Sequence, residues 1–367
     1  RGARIDAAIL RASMETAFGA SDAAGVWDWK SAYEACEVAT VLFLRKYGPA
    51  LFRKAVSMDA RLAQLTKIAA LMPTQTRRSE DSQSFQQFST PIPLGLAALA
   101  AARITPEDVV IEPSAGTGLM AILAETLGGG LILNELADTR ADLLSALFPA
   151  ATLSRVDAAQ IDDHLDVGLV PSVVVMNPPF SALANVAGRN TEAAFRHIAS
   201  ALARLAPGGR LVAITGAGFG PEAPNWREAF IRLQASGRVA FSAAIDGSVY
   251  ARHGTTIETR LTVIDKQPAE NPAACPASPG TAPDVQTLLG WIAAHVPGRL
   301  PVSLPKVTAP VGRSLSPPVR GALGRPVRSA RPVPTPARDP ESVELAYDAI
   351  DWTPPEGARL SDAIYEE

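Results

Sequence analysis

The chain predicts an α/β fold: a doubly wound, mostly parallel sheet with an antiparallel edge strand, preceded by a helical N-terminal region. Three observations point there. Over residues 85–266, apolar β-rich runs alternate with helical spacings, the pattern of βαβ units whose sheet is covered on both faces. Two of those runs, 109–111 and 173–176, end in unusual polar turns, Glu112-Pro113-Ser114-Ala115-Gly116-Thr117-Gly118 and Asn177-Pro178-Pro179-Phe180. Adjacent strands would deliver both turns to one crevice. Residues 3–72 instead carry helical spacing rich in Ala, Leu and Arg.

In chain order, the N-terminal segment reads as three helices, broken at Gly25 and at Gly48-Pro49. Residues 73–84 are polar, contain Arg77-Arg78 and read as a linker. The β-rich region then offers a strand at 109–111, a helix at 119–127 and strands at 131–133, 151–156, 172–176 and 210–215, with an amphipathic helix at 191–205 before the last of these. Residues 238–245 and 257–265 have no helical spacing between them and predict a hairpin at one sheet edge. Beyond 266 the composition shifts. Sixteen of the 31 prolines fall between Pro268 and Pro340, and 297–338 holds eight Lys or Arg residues and no acid. That composition predicts a basic, mostly disordered tether over 267–340, with one helix near 283–295. A loose contact with phosphate backbone is its alternative role.

Composition sets the outer limits. A net charge of −3 gives no global pull toward nucleic acid, so any basic surface is local. Cys36 and Cys275 lie far apart with no disulfide or metal-ligand spacing, and no metal is expected. His164, His197, His253 and His295 are scattered too, and read as core or surface residues. No run approaches the roughly 18 apolar residues of a membrane span, so the expectation is a cytoplasmic protein without membrane contact. The chain opens on Arg1 and stops at Glu367, which reads as a segment of a longer polypeptide.

Gly116 and Gly118 follow a strand and open a helix, where backbone N–H groups approach a ligand closely. The turn lacks the third glycine of a dinucleotide fingerprint and the lysine of a phosphate loop. Its carboxylates narrow the choice. Glu112 ends the first strand, and Glu135 ends the second, where a carboxylate takes both hydroxyls of a ribose. An acid inside the loop repels phosphate but suits a sulfonium and an amino group, as in S-adenosyl-L-methionine. Asp157, after the third strand, would accept from the adenine amine of that cofactor. The plainer readings are a surface turn for Asp157, a solvated strand end for Glu135 with Asp138 as substitute, and a helix-dipole partner for Glu112.

Asn177 follows four apolar residues, and Pro178 and Pro179 stop the strand, so the amide is held at its carboxyl end. The Asn oxygen and the Pro178 carbonyl can accept both hydrogens of a planar amine, releasing its lone pair toward an electrophile. Phe180 offers a face on which the base carrying that amine stacks.

These residues resemble the class I S-adenosylmethionine-dependent methyltransferases, and among them the DNA adenine-N6 enzymes whose cofactor motif precedes the catalytic one. Phe88-Ser89-Thr90-Pro91 is similar to their Phe-x-Thr-Pro element, which implies that Phe88, Thr90 and Pro91 help hold the methionine portion. The resemblance spans residues 85–266 and implies a Rossmann-like methyltransferase domain, with Pro113, Ser114, Ala115, Thr117 and Asn177 also near the cofactor. Tyr250, in the 250–256 segment, resembles the element bordering a flipped base and is a stacking candidate beside Phe180; a core role is its alternative. Residues 351–357 and 360–365 look like the lead into the helicase region of bacterial strawberry-notch-type methylase–helicases, so 341–367 would introduce a helicase absent from this chain. No Walker lysine motif is present here. Adenine methyltransferases of this motif order carry a target-recognition domain after the last strand; here only the Pro-rich tether follows.

The resulting expectation is an N-methyltransferase acting on adenine N6 in DNA, one part of a methylase–helicase. The alternatives are RNA or protein glutamine as substrate, and a non-catalytic nucleic-acid-sensing or assembly module.

Overall fold

The apolar run Val173–Met176 is buried at every position, as a strand covered on both faces must be. It is the fourth of eight strands in the computed structural model, which describes residues 3–76, 89–179 and 193–303. The strands are β1 (Val109–Glu112), β2 (Gly130–Asn134), β3 (Thr152–Ser154), β4 (Val173–Met176), β5 (Arg210–Gly216), β6 (Arg238–Ile245), β7 (Thr259–Asp265) and β8 (Thr281–Ala282). They form one sheet in the order β3-β2-β1-β4-β5-β7-β6-β8. Every pairing is parallel except those of β7, which runs antiparallel to β5 and to β6. The chain therefore winds outward from β1 in both directions, and β1 pairs with β4 through Val110 opposite Val173 and Ile111 opposite Val174. The turns after β1 and β4 meet at that reversal point, where doubly wound sheets open a crevice. The fold is the Rossmann-like, mostly parallel sheet that the alternation predicts.

Among the described residues the helices are α1 (Ala7–Phe18), α2 (Trp29–Lys54), α3 (Met58–Leu71), α4 (Ile92–Ala102), α5 (Leu119–Thr126), α6 (Asp138–Leu147), α7 (Ile161–His164), α8 (Ala193–Arg204), α9 (Arg227–Gln234) and α10 (Val285–His295). Ile111, Val174, Met176, Leu211 and Ala213 point to one face of the sheet and pack on Ile161 of α7, Ile198 and Leu202 of α8 and Phe230 and Leu233 of α9. Strand alternation sends Val110, Val173 and Val175 to the other face. There α4 and α5 lie against the sheet, and α2, α3 and α10 pack on them.

Four expectations change. Gly48-Pro49 does not break the helix: α2 runs unbroken through both residues. Pro49 is exposed, and its missing N–H removes one helical hydrogen bond without ending the helix, while an ideal Cβ on Gly48 would lie 3.4 Å from Thr126 Cγ2. Gly25, by contrast, does end a turn, at φ +72°. The expected hairpin of β6 and β7 forms, but its antiparallel strand is not the edge: β7 bonds both β5 and β6, and β8 lies outermost.

The tether does not begin at 267. Residues 4–305 form one compact unit that includes β8 and α10. Proline lacks a donor but keeps its carbonyl, and two arginines, Arg210 of β5 and Arg103 at the end of α4, supply donors. Arg210, fully buried and paired with Asp265 at 2.8 Å, also donates to Pro297 O and Gly298 O at 3.1 and 3.2 Å. Arg103 donates to Val296 O at 2.8 Å. For the same reason of packing, the N-terminal helices belong to this unit and are not a separate domain. In the expected linker 73–84, residues 73–76 are non-helical, and Gln75 N donates to Arg252 O at 2.8 Å. Residues 77–84, including Arg77 and Arg78, lie outside the described residues, as do 304–367.

Candidate active site

A pocket opens at the carboxyl ends of β1, β2 and β4, lined by Ser89, Thr90, residues 112–117, Asn134, Glu135, Asp157 and residues 177–179. The two turns read from the sequence thus meet in one cavity. Phe88 and Phe180, expected beside them, lie outside the described residues.

The turn after β1 is held from β2. Gly116 stands at φ +57°, open to glycine without strain, and its N–H donates to Glu135 Oε2 at 2.9 Å. Glu135 Oε1 accepts from Ala137 N at 2.9 Å, so this carboxylate bridges the two turns while still bordering the pocket. Asn134, almost fully buried, donates to Pro113 O and Val156 O at 2.8 and 2.9 Å and accepts from Ser154 Oγ and Val156 N. Its four bonds fix the ends of β1, β2 and β3 relative to one another.

Gly118 does not line the pocket. Its φ is +89°, and an ideal Cβ would lie 2.4 Å from Phe148 Cε2. The left-handed backbone and packing against the Phe148 ring require glycine there.

Glu112 is 3% exposed, and its Oε2 has no hydrogen-bond partner among the described residues. Burial raises its pKa well above the usual carboxylate range, and the nearby Glu135 charge adds to the rise; a bond from the Ala121 amide acts against both. The pocket therefore holds a buried carboxyl group with one oxygen unsatisfied among the described residues.

At the other wall Asn177 Nδ2 donates to Thr90 Oγ1 at 2.8 Å, joining the turn after β4 to the Thr90-Pro91 element. Pro91 itself starts α4 and faces a neighbouring cavity. Pro178 is buried and Pro179 half-buried beside Asn177. Tyr250 corrects its stacking assignment: it is 0% exposed, so neither ring face is open to a base. Its hydroxyl interacts with the Asn177 side chain, and burial raises its pKa. Tyr250 supports Asn177 from below.

Asp157 borders the pocket but is exposed, and its Oδ1 accepts from Ala159 N at 2.9 Å, capping the short 3-10 turn 158–160. It fills the plain role of a turn residue while bordering the pocket. Met120, Leu136, Arg140 and His197 also line the pocket, and no motif or spacing marks them. His197 is one of the four histidines scattered through the chain. It is on α8, its Nδ1 has no partner among the described residues, and burial lowers its pKa against the pull of Asp157. Leu136, 64% exposed, presents an apolar surface at the mouth. Among the described residues no three His, Cys, Asp or Glu side chains converge as a metal site, and no helix is long and apolar enough to cross a membrane.

No family model matches the chain, and no curated protein is similar to it in sequence. Solved structures are similar in part. The EcoKI M protein of a type I restriction enzyme is 18% identical with a TM-score of 0.40, over 51% of this chain and 45% of that one. A type I restriction-modification methyltransferase subunit from Streptococcus thermophilus is 17% identical with a TM-score of 0.40, over 50% and 46%. A TehB-like SAM-dependent methyltransferase from Corynebacterium glutamicum is 17% identical with a TM-score of 0.35, over 47% and 88%. This chain spans less than half the length of the two restriction-modification subunits. The fold assignment rests on the strand order itself.

Proposed function

We propose that this pocket binds S-adenosyl-L-methionine and that the chain transfers its methyl group to an amine, the N6 amine of adenine in DNA, as one part of a larger methylase–helicase polypeptide. The observation that carries the proposal is the convergence of Glu112, with its unsatisfied buried oxygen, and Asn177, anchored on Thr90, in one cavity at the reversal point of the sheet.

The residues present fit the cofactor. Glu112 supplies negative charge for a cationic ligand, and Ser89 and Thr90 border the same region. Glu135 keeps acceptor capacity beyond its two backbone bonds for ribose hydroxyls, and Leu136 gives an apolar surface against which a purine can lie. Asp157 and His197 offer polar atoms for the purine edge. When bound, the cofactor supplies a methyl group on a sulfonium leaving group, open to in-line displacement.

The chain's own work is positioning. With Nδ2 committed to Thr90, the Asn177 amide is oriented so that its oxygen and the Pro178 carbonyl can accept the two hydrogens of a planar amine. Pro178 and Pro179 hold that geometry by fixing φ. Tyr250, buried behind Asn177, prevents the amide from swinging away. Phe180 is the proposed stacking face for the base.

Calorimetry with S-adenosylmethionine, followed by radiolabelled methyl transfer to DNA, RNA and protein pools, tests the proposal. Binding weakened by Glu135→Ala and label entering DNA adenine are expected. Absence of binding rejects the cofactor; label confined to RNA or protein rejects the DNA substrate.

A further inference from the structure

Glu37 is a carboxylate of the N-terminal helices that no catalytic or cofactor role has so far absorbed. It sits on α2, 6% exposed, far in sequence from either motif. Its Oε2 accepts from Thr117 Oγ1 at 2.7 Å, inside the glycine turn, and Thr117 is itself buried. Its Oε1 accepts from Gln75 Nε2 at 3.3 Å, and Ser89 also bonds the carboxyl. Burial raises its pKa; the bonds from Ser89 and Thr117 and the charge of Arg140 oppose that rise, and the Glu34 charge adds to it. A group this costly to bury is retained only with its partners in place.

The same face of α2 makes further ties to the elements that carry the turn. One turn of helix earlier, Glu34 pairs with Arg140 Nε at 2.8 Å, both largely buried, and Arg140 lines the pocket on α6. Farther along, Arg45 pairs with Glu125 of α5 at 2.9 Å and lies 4.7 Å over the ring of Phe148, the ring that packs on Gly118. Gly48 then lets α2 approach Thr126. Thus α2 grips α5, α6 and the turn between β1 and α5.

We infer that Glu37 is a positioning residue for the cofactor turn: by holding Thr117 and Ser89 on one buried carboxylate, it makes helix α2 a working wall of the pocket. The inference rests on the cofactor reading above for its ligand, but not for its geometry. Glu37 touches no reacting atom; it acts through Thr117 and Ser89.

The test uses the full chain with two readouts. Hydrogen exchange of residues 114–118 without ligand should accelerate in Glu37→Ala and Thr117→Val and stay near wild type in Glu37→Gln, which keeps an acceptor for Thr117. The Kd for S-adenosylmethionine should rise about tenfold or more in the first two, the scale of one charge-assisted hydrogen bond. Because the two side chains act as one unit, Glu37→Ala combined with Thr117→Val should be little worse than either alone. Arg299→Ala, remote from this contact, serves as the control that lowers stability without changing Kd. If wild type binds no S-adenosylmethionine yet the turn loosens in Glu37→Ala, the cofactor reading fails and the positioning role stands. If Glu37→Ala binds like wild type with unchanged exchange at 114–118, or merely tracks the stability loss of Arg299→Ala, the inference is overturned.

Discussion

Asn177 donates to Thr90 across 2.8 Å, although 87 residues separate them in the chain. One hydrogen bond thereby fixes the orientation of the amide at the end of β4 and attaches it to the segment that leads into α4. The hydroxyl of Thr90 is a structural partner of the proposed catalytic residue as well as a candidate cofactor contact.

From this pairing, Asn177→Ala abolishes methyl transfer while leaving affinity for S-adenosylmethionine within about threefold, since it removes a transition-state contact and little ground-state binding. Thr90→Val, which keeps shape but loses the acceptor, lowers kcat by about tenfold, the worth of one hydrogen bond, and Thr90→Ser restores it. Steady-state kinetics and calorimetry check both. Equal activity in Asn177→Ala would remove that residue from the chemistry.

Glu112 has a folded pKa above its unfolded one. Its favourable contribution to stability is therefore fully present below the unfolded pKa of about 4.3 and is lost as pH rises through the folded value. Glu112→Gln should raise the Tm at pH 8 and change it little at pH 4. A cationic ligand favours the ionised form, so binding releases a proton and affinity rises with pH, by up to about tenfold per unit while the group is protonated. Calorimetry in buffers of different ionisation enthalpy measures that proton, and Glu112→Gln should eliminate it.

Asp108 behaves in the opposite sense. Burial pushes its pKa up, but hydrogen bonds from Arg299, Ser172 and the Thr105 amide prevail and bring it to about 2. Arg299 Nη2 and Ser172 Oγ reach the same carboxylate oxygen at 2.8 and 2.6 Å. This stabilisation is present above the unfolded pKa of about 3.9 and is lost as pH falls through the folded value. Arg299→Ala should cost on the order of 2 kcal/mol at pH 7 and flatten the acid limb of a Tm-versus-pH curve. An unaltered acid limb would show that this pair contributes nothing to holding residues 296–303 on the sheet.

Gly118→Ala meets two penalties, the left-handed backbone and the Phe148 ring 2.4 Å from the new Cβ. A loss of at least about 2 kcal/mol is expected in chemical denaturation. Adding Phe148→Leu should recover the steric part only. Full recovery would mean that the backbone angle carries no cost.

Legibility followed distance along the chain. The strands and the two turns were readable because each is a local pattern of apolar residues, glycine and proline. The continuity of helix α2 through Gly48-Pro49 is not legible locally, because Gly and Pro read as breakers in isolation while packing of a long helix on its neighbour α5 carries it through them. Within 267–303 the helix near 283–295 is legible and is α10; the ordering of the residues after it is not, because the carbonyls of Val296, Pro297 and Gly298 are satisfied by Arg103 and Arg210, whose positions no composition count contains. Tyr250 had the right neighbourhood and the wrong accessibility: a sequence places it before β7 but not beneath Asn177.

The sequence alone determined the α/β alternation, the glycine turn, and the amide held by two prolines, since strand period, left-handed glycine and fixed proline φ are properties of a few consecutive residues. Only the tertiary structure decided that Asn177 rests on Thr90 and Tyr250, that Glu112 is buried with an unsatisfied oxygen, and that Glu37 of α2 holds Thr117. Desolvation and hydrogen-bond partnership depend on which distant side chains pack together. Packing of that kind exists only once the sheet has formed.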